Sequence, residues 1–558
     1  MGLSFFKGVM LLCALALRGV RGQLDTQIPI ANFQGNDTTT CHDACTALTS
    51  SLGNSIVHHN TSLPSTLFSG YYTLMQRSAI PLCIIHPESS QDVSEAIKII
   101  SRHSCVFAVK SGGHAMFAGG STAEGGIVLD LHLLNGLEIS GDAETAYVGT
   151  GNRWGAVYEF LKPWNVTVVG GRVGDVGVGG FLLGGMSSEA YHSYLAATDG
   201  VVTMPETTKQ QIVLANGTIS NISYTSNPDL YFALRGGGKN FGIVTRFDLE
   251  THPVLPQWLG GFNFILLSPS SIQTTLSQTR TFTPTFTYAL ETTSQFLVKL
   301  ACKLGYCVDL DIFAESIARL AFDSENDHDA MGYGVISLLQ HANIYAVGTH
   351  TIHTSGIQKA PSFTKLTQDM QTKILHSTMR LDNPYGFTKE VDVHNPVGVR
   401  MTYNTATFKV DGKFMKEVAR IYVEEIEQVR HVRGLVSAIT TQTLARDEIV
   451  QFGRNGGNAF GIREEDGPLT ILLASFGWAD EEDNELIVRT AQNLIDRAVI
   501  LGKKMGIYHP FIYQNYAAKS QDVFAGYSVE NQQRLRRIQK EVDPEGVFSR
   551  LQPGYFTL

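Results

Sequence analysis

The sequence predicts an α+β fold in two principal blocks, and three observations predict it. Residues 82–110 read as a strand, an amphipathic helix and a second strand that ends in a glycine turn. Glycine clusters crowd the chain up to about residue 255 and are sparse beyond it. Beyond Pro253, strands alternate with long amphipathic helices, which gives a sheet backed by helices on one face and free to cover a ligand with the other. At 558 residues, with a mean hydropathy of −0.01, the chain is long enough for two or three domains with proper cores.

The elements follow in order. Met1 to Gly22 carries Lys7, an apolar run from Val9 to Leu17 and small residues before Gln23, the pattern of a secretory signal peptide; a signal anchor or a buried helix is the alternative. Its removal takes away three cations, Lys7, Arg18 and Arg21, and no acid, so the formal net charge of −9 becomes −12. An acidic surface does not suit nucleic acid, and no later stretch is apolar for long enough to span a bilayer. Residues 23–75 form a Thr- and Ser-rich lead-in with a helical piece near 41–52, expected to be pinned to the body by a disulfide. The remaining six cysteines, Cys41, Cys45, Cys83, Cys105, Cys302 and Cys307, fit disulfides in a secreted chain better than zinc, and spacing alone does not choose their pairing. Five Asn-x-Ser/Thr sequons, at Asn36, Asn60, Asn165, Asn216 and Asn221, agree with that route.

Leu82 to Ile85 reads as a buried strand, Gln91 to Arg102 as a helix with Val93, Ala96, Ile97 and Ile100 on one face, and Val106 to Val109 as the next strand. Strands follow at 127–131 and 145–148, a helix at 153–161 and a strand at 166–169. Asn216-Gly217 marks a hairpin. In the second block, 413–429 and 482–501 are helices and 435–439 and 470–476 strands.

Two runs carry the chemistry. Lys110-Ser111-Gly112-Gly113-His114 presents amides and an imidazole at a tight turn, and Val176-Gly177-Val178-Gly179-Gly180 offers stacked amides again. One such turn alone could be a phosphate nest, a metal turn or a loop with a surface histidine. Two together fit a pyrophosphate better than a metal.

With Arg235-Gly236-Gly237-Gly238-Lys239-Asn240-Phe241-Gly242-Ile243-Val244-Thr245 and Tyr513-Gln514-Asn515-Tyr516 in the same order, the chain resembles the FAD-linked oxidoreductases of the vanillyl-alcohol-oxidase superfamily, berberine-bridge-enzyme-like branch, of fungal type. The resemblance covers about residues 75–255 and resumes at about 505–550. It implies a two-subdomain, PCMH-type FAD-binding domain at 76–255, a substrate domain with an antiparallel sheet at 256–505, and a C-terminal segment, 506–558, that returns to the FAD domain.

The resemblance also implies roles. His114 matches the histidine bonded to the flavin 8α-methyl, and a covalent link raises the potential of the cofactor. Lys110, Ser111, Gly112 and Gly113 would meet the pyrophosphate from one side and Gly177, Gly179 and Gly180 from the other; Val244 would lie at the adenine end. Relatives with a second flavin link carry a cysteine where Val173 stands, so a single link is expected. Val176 takes the place over the flavin edge where oxygen approaches, and valine there goes with oxidase behaviour. Tyr513 and Tyr516 match the substrate-side tyrosines, one of which takes the substrate proton or steers the substrate, Tyr513 being the first choice, and Asn515 orients their loop; by themselves these rings would read as core packing. No metal is implied. Met204 to Lys209 reads as about six extra residues before Gln210, a departure from the family pattern.

The resulting expectation is a secreted FAD-dependent oxidase that removes hydride from a small molecule, a secondary-metabolite intermediate, with O2 as acceptor. The alternatives are a carbohydrate oxidase and a flavin-binding cyclase without net redox turnover.

Overall fold

The structure is a computed structural model that describes residues 39–59, 70–185, 207–270, 272, 293–323, 327–368, 374–395 and 398–558. The segment read as a signal peptide, the sequons at Asn36 and Asn60, and the first half of the Met204–Lys209 departure, residues 204–206, lie outside them. Thr207 to Lys209 begin a regular strand, Thr207–Val213.

The first block holds two sheets. Four strands run in the order Val57–His59, Cys83–Ile85, Ile127–Asp130, Phe107–Lys110, the last three parallel and the first antiparallel to its neighbour. The parallel connection is the helix Ser90–His103. Its start is set by a capping box, in which Asp92 N donates to Ser89 Oγ and Ser89 N donates to an Asp92 carboxylate oxygen; it ends at Ser104 in a left-handed conformation. Val93, Ala96, Ile97 and Ile100 are all buried on its inner face, as the periodicity requires.

The second sheet is antiparallel, in the order Leu137–Ile139, Thr145–Gly149, Ile243–Glu250, Thr207–Val213, Ile219–Ser223. Its last two strands are joined at Asn216-Gly217, where Gly217 takes a φ of +81°.

The lead-in is part of this body. Helix Thr39–Leu52 packs Cys41, Ala44, Cys45 and Leu48 against the first sheet, and two disulfides, Cys41–Cys105 and Cys45–Cys83, hold it there. Cys302–Cys307 closes a short loop in the second block.

That block is a ten-stranded sheet whose central strands run Gln257–Leu267, Ile344–His353, Ala330–Leu339, Val436–Leu444, Leu469–Trp478, Arg400–Lys409. Helices Leu310–Asp323, Gly412–Val429 and Asn484–Met505 cover one face and build a core with Ile336, Ile439, Ala474 and Phe476. Asp411 caps the second helix by accepting from Phe414 N, and Gly506, at φ +72°, ends the third.

The C-terminal segment crosses back. Tyr508–His509 adds an edge strand to the large sheet, after which Phe548 and Leu551 enter the core of the first sheet and Phe107 N donates to Leu551 O at 2.7 Å. Among the described residues no helix is long and apolar enough to cross a membrane.

The two disulfides of the lead-in close loops of 64 and 38 residues in sequence separation, and such closures restrict the unfolded chain. The double variant Cys45→Ser/Cys83→Ser is expected to lose about 2–4 kcal/mol, read as a lower thermal midpoint, and Cys302→Ser/Cys307→Ser, which opens a five-residue separation, clearly less.

Candidate active site

Strand Phe107–Lys110 delivers the turn Ser111-Gly112-Gly113-His114 against the loop that starts helix Val178–Leu183. The two loops touch backbone to backbone. A Cβ on Gly112 would lie 2.4 Å from Gly177 N, and one on Gly177 would lie 2.2 Å from Gly112 N, so only glycine fits at either place. Ser111 staples the contact: its Oγ donates to Thr150 O at 2.7 Å and accepts from Gly179 N at 3.2 Å. Arg153 completes it. Its guanidinium donates to Gly112 O at 2.8 Å, to Gly70 O at 3.2 Å and to Asp175 O at 2.5 Å, and pairs with the Asp175 carboxylate at 2.6 Å. Gly180, by contrast, has open space where a Cβ would point.

These loops form one end of a cavity of about 450 Å³, in the range of cofactor and ligand sites. Of the residues singled out by the sequence, Ser111, Gly112, Gly113, His114, Val176, Gly177, Gly179, Gly180, Val244, Tyr513, Asn515 and Tyr516 all line it, as does Val173. Lys110 does not. Its ammonium is buried in an ion pair with Asp130 at 2.8 Å, beneath the Tyr71 ring, so it supports the turn from behind.

His114 stacks on Tyr72, with ring centroids 3.9 Å apart and planes at 19°. Burial first, and then the neighbouring Arg153 charge, pull its imidazole down to about 3. At neutral pH the ring is therefore uncharged and keeps a nitrogen lone pair. His114 Nε2, Thr150 Oγ1, Tyr72 Oη and Gln514 Oε1 are buried around the cavity with no hydrogen-bond partner among the described residues. Together with a glycine cradle that a Cβ would fill, this polar set fits a large polar cofactor such as FAD, whose phosphates Ser111 to Gly113 and Gly177 to Gly180 could hold and whose ring system His114 could meet.

The opposite wall comes from the large sheet. Val436, Ala438, Thr440 and Gln442, every second residue of one strand, face the cavity, with Leu473 and Ser475, Tyr333 and Val335, and Met401 and Tyr403 on its neighbours. The intervening residues face the helices. From the first block Arg172 reaches across, its guanidinium 4.3 Å over the Tyr333 ring and donating to Tyr516 Oη at 2.6 Å. Tyr516 in turn donates to Gln442 Oε1 at 2.9 Å. Tyr333 stacks on His350 at 4.4 Å. Asn515 Nδ2 donates to Tyr513 Oη at 2.9 Å and to Phe181 O at 3.1 Å, which fixes the loop and the Tyr513 ring. Tyr513 is packed at 4.7 Å from the Tyr516 ring, and burial pushes its hydroxyl well above the ordinary tyrosine range.

Arg172, Tyr333, His350, Tyr403 and Gln442 carry no local motif. The period-two alternation of the strands was the available signal for all but Arg172, and it identifies a face without saying which of two faces meets a ligand.

This fold and cleft define an FAD-dependent oxidoreductase. Residues 81–223 match the model of an FAD binding domain. Over nearly its whole length the chain is similar to two curated fungal proteins. It is 31% identical to the FAD-dependent monooxygenase FUP4 of Fusarium proliferatum, over 94% of this chain and 96% of that one. It is 34% identical to the FAD-dependent monooxygenase tpcD of Cochliobolus heterostrophus, over 93% and 94%. In structure it is similar to a variant of berberine bridge enzyme in complex with (S)-reticuline, with a TM-score of 0.65 and 15% identity, covering 92% of this chain and 98% of that one. The chain belongs to the family of these fungal FAD-dependent enzymes and shares the fold of berberine bridge enzyme.

Gly177→Ala is expected to force the two loops apart, at a cost of about 1–3 kcal/mol from overpacking, and to lower the flavin content of the purified protein. Gly180→Ala, whose methyl points into open space, should fold as well as the parent; the ratio of flavin to protein absorbance, with thermal unfolding, checks both.

Proposed function

We propose that this protein is a secreted flavin oxidase that removes a hydride from a hydroxyl-bearing carbon of an aromatic secondary-metabolite intermediate and passes the electrons to O2. The single observation that carries the reading is the Arg172–Tyr516–Gln442 chain on the wall opposite His114. FAD, once bound, would supply the hydride acceptor. The protein supplies the rest. Tyr516, as a phenolate whose own proton has passed to solvent and whose negative charge the Arg172 guanidinium meets, takes the substrate hydroxyl proton. Tyr513, kept protonated by burial and oriented by Asn515, positions the substrate.

The wall supports an aromatic substrate over a sugar. Val335, Val436, Ala438, Leu473 and Met401 give apolar area, and Tyr72, Tyr333 and Tyr403 give flat rings. None of the four tryptophans lines the cavity; Trp154 and Trp478 are fully buried in packing.

His114 is proposed as the single covalent anchor. Its neutral imidazole is the form that can act as a nucleophile, and Val173, where relatives carry a second linking cysteine, has no atom that could form a bond. Secretion and N-glycosylation are supported by the three disulfides and by the exposure of Asn165, Asn216 and Asn221.

A second reading comes from the relatives, which are named monooxygenases: an oxygen atom would enter the product, where the oxidase releases H2O2. Release of one H2O2 per substrate oxidised, with no label from ¹⁸O2 in the product, would hold to the oxidase; label in the product would replace it.

Two variants test the assignments. After acid precipitation the parent pellet should stay yellow and the His114→Ala pellet should not; a yellow His114→Ala pellet would place the covalent bond elsewhere. Tyr516→Phe is expected to slow flavin bleaching by a panel of phenolic alcohols by about 10²–10⁴-fold with flavin content unchanged, and Tyr513→Phe by less.

A further inference from the structure

Outside the flavin cavity, the parallel sheet carries a second group of polar side chains. Strands Cys83–Ile85 and Ile127–Asp130 run side by side with Ile85 opposite Leu129, so His86 and Asp130 emerge together at the C-terminal edge of the sheet. His132 follows in the turn Leu131–Leu133, and His58 sits on the neighbouring strand, opposite Ile84. None of the four lines the cavity.

His132 Nδ1 lies 3.3 Å from Asp130 Oδ1, and His86 Nε2 lies 3.9 Å from Asp130 Oδ2. All three ligand atoms fall within 4.8 Å of one another. His86 is only 8% exposed, and its Nε2 is buried without a hydrogen-bond partner among the described residues, while His132 Nδ1 lies against the Asp130 carboxylate. A buried imidazole nitrogen aimed at a carboxylate, yet too far away to bond to it, is costly unless something else completes it.

We propose that His86, Asp130 and His132 bind one divalent transition-metal ion, of which Zn2+ is the natural probe. Two imidazole nitrogens and one carboxylate oxygen form a borderline-soft donor set suited to it, and a fourth position is left for water. Bonds of about 2.0–2.2 Å at tetrahedral angles set ligand atoms about 3.3–3.6 Å apart, so the group must contract on binding. His132, whose side chain is 44% exposed, is the member free to swing inward, and its exposed side is the way in for the ion. The Lys110 ammonium holds Asp130 Oδ2 at 2.8 Å from the far side. It orients the carboxylate as an outer-shell partner, and its positive charge keeps the affinity modest. The ion would tie the ends of two strands to the turn behind them, so its effect is on stability and not on the reaction.

The test uses the full-length, flavin-containing protein, titrated with ZnCl2 by calorimetry near neutral pH and followed by thermal unfolding. One saturable ion per chain is expected, with a thermal midpoint that rises with zinc concentration. His86→Gln and His132→Gln should each lose that binding and that rise while keeping the flavin spectrum, and His431→Gln, at an exposed histidine far along the chain, should keep both. If His86→Gln fails to fold, the half-exposed His132→Gln decides. No saturable binding to the parent, or equal binding by the His132→Gln variant, overturns the site.

Discussion

The close contact between Gly112 and Gly177 is the constraint from which the rest of the site follows. Two loops some sixty residues apart meet with no room for a single extra carbon on either side, which fixes the distance between their amides to that of touching backbones. Such a contact is entropically expensive, because both segments are glycine-rich, and it is held by interactions brought from outside. Arg153 bonds three separate backbone carbonyls around it, Ser111 joins Thr150 to Gly179, and the Lys110–Asp130 pair fixes the strand end behind. The disulfides of the lead-in brace the same sheet one layer further out. A precise cradle is thus built from the most flexible residue type by surrounding it with rigid partners.

The large sheet works by a different principle. Its strands present alternate residues to two environments: one set makes an apolar core with three helices, and the other is left to the cavity. Because the helices already satisfy one face, the cavity face can vary in chemistry without threatening the fold. Arg172 belongs to the first block, yet it rests on the Tyr333 ring of the sheet, so the two blocks meet at the place where a substrate would sit.

Much of this was legible in the sequence, and unequally so. Local motifs survived well: the turn at Ser111–His114, the second glycine run and Tyr513–Tyr516 all reach one cavity, because each is a short segment whose backbone geometry is encoded by its own residues. Helices with a strong apolar stripe, such as Gly412–Val429, were legible to within a residue or two, with Phe414, Val418, Ile421, Tyr422 and Ile426 all buried. Lys110 shows the limit. Adjacency to a motif suggested a cofactor contact, whereas its direction was set by Asp130, twenty residues on and a neighbour only through strand pairing. The pairing of the lead-in cysteines and the lining Tyr333, His350 and Gln442 depend in the same way on register across strands, which composition and spacing do not contain.

Tyr516 shows why the chain must be read as one unit. Its hydroxyl accepts from Arg172 in the first block and donates to Gln442 in the large sheet, while its backbone belongs to the C-terminal segment. That segment is stitched back to the first block at several points: Lys239 Nζ donates to Phe548 O, Tyr527 Oη to Gly236 O at 2.7 Å, and Phe107 N to Leu551 O. The Tyr516 hydroxyl, the proposed proton-handling group, therefore takes its place only after both blocks and the returning segment have docked. A chain ending before residue 506 would keep both glycine loops and most of the sheet wall, but it would lack the phenol that joins them and the cover over the first sheet. The reactive centre is thus an interface of three parts of the chain, and its geometry depends on their docking as much as on the identity of any residue within it.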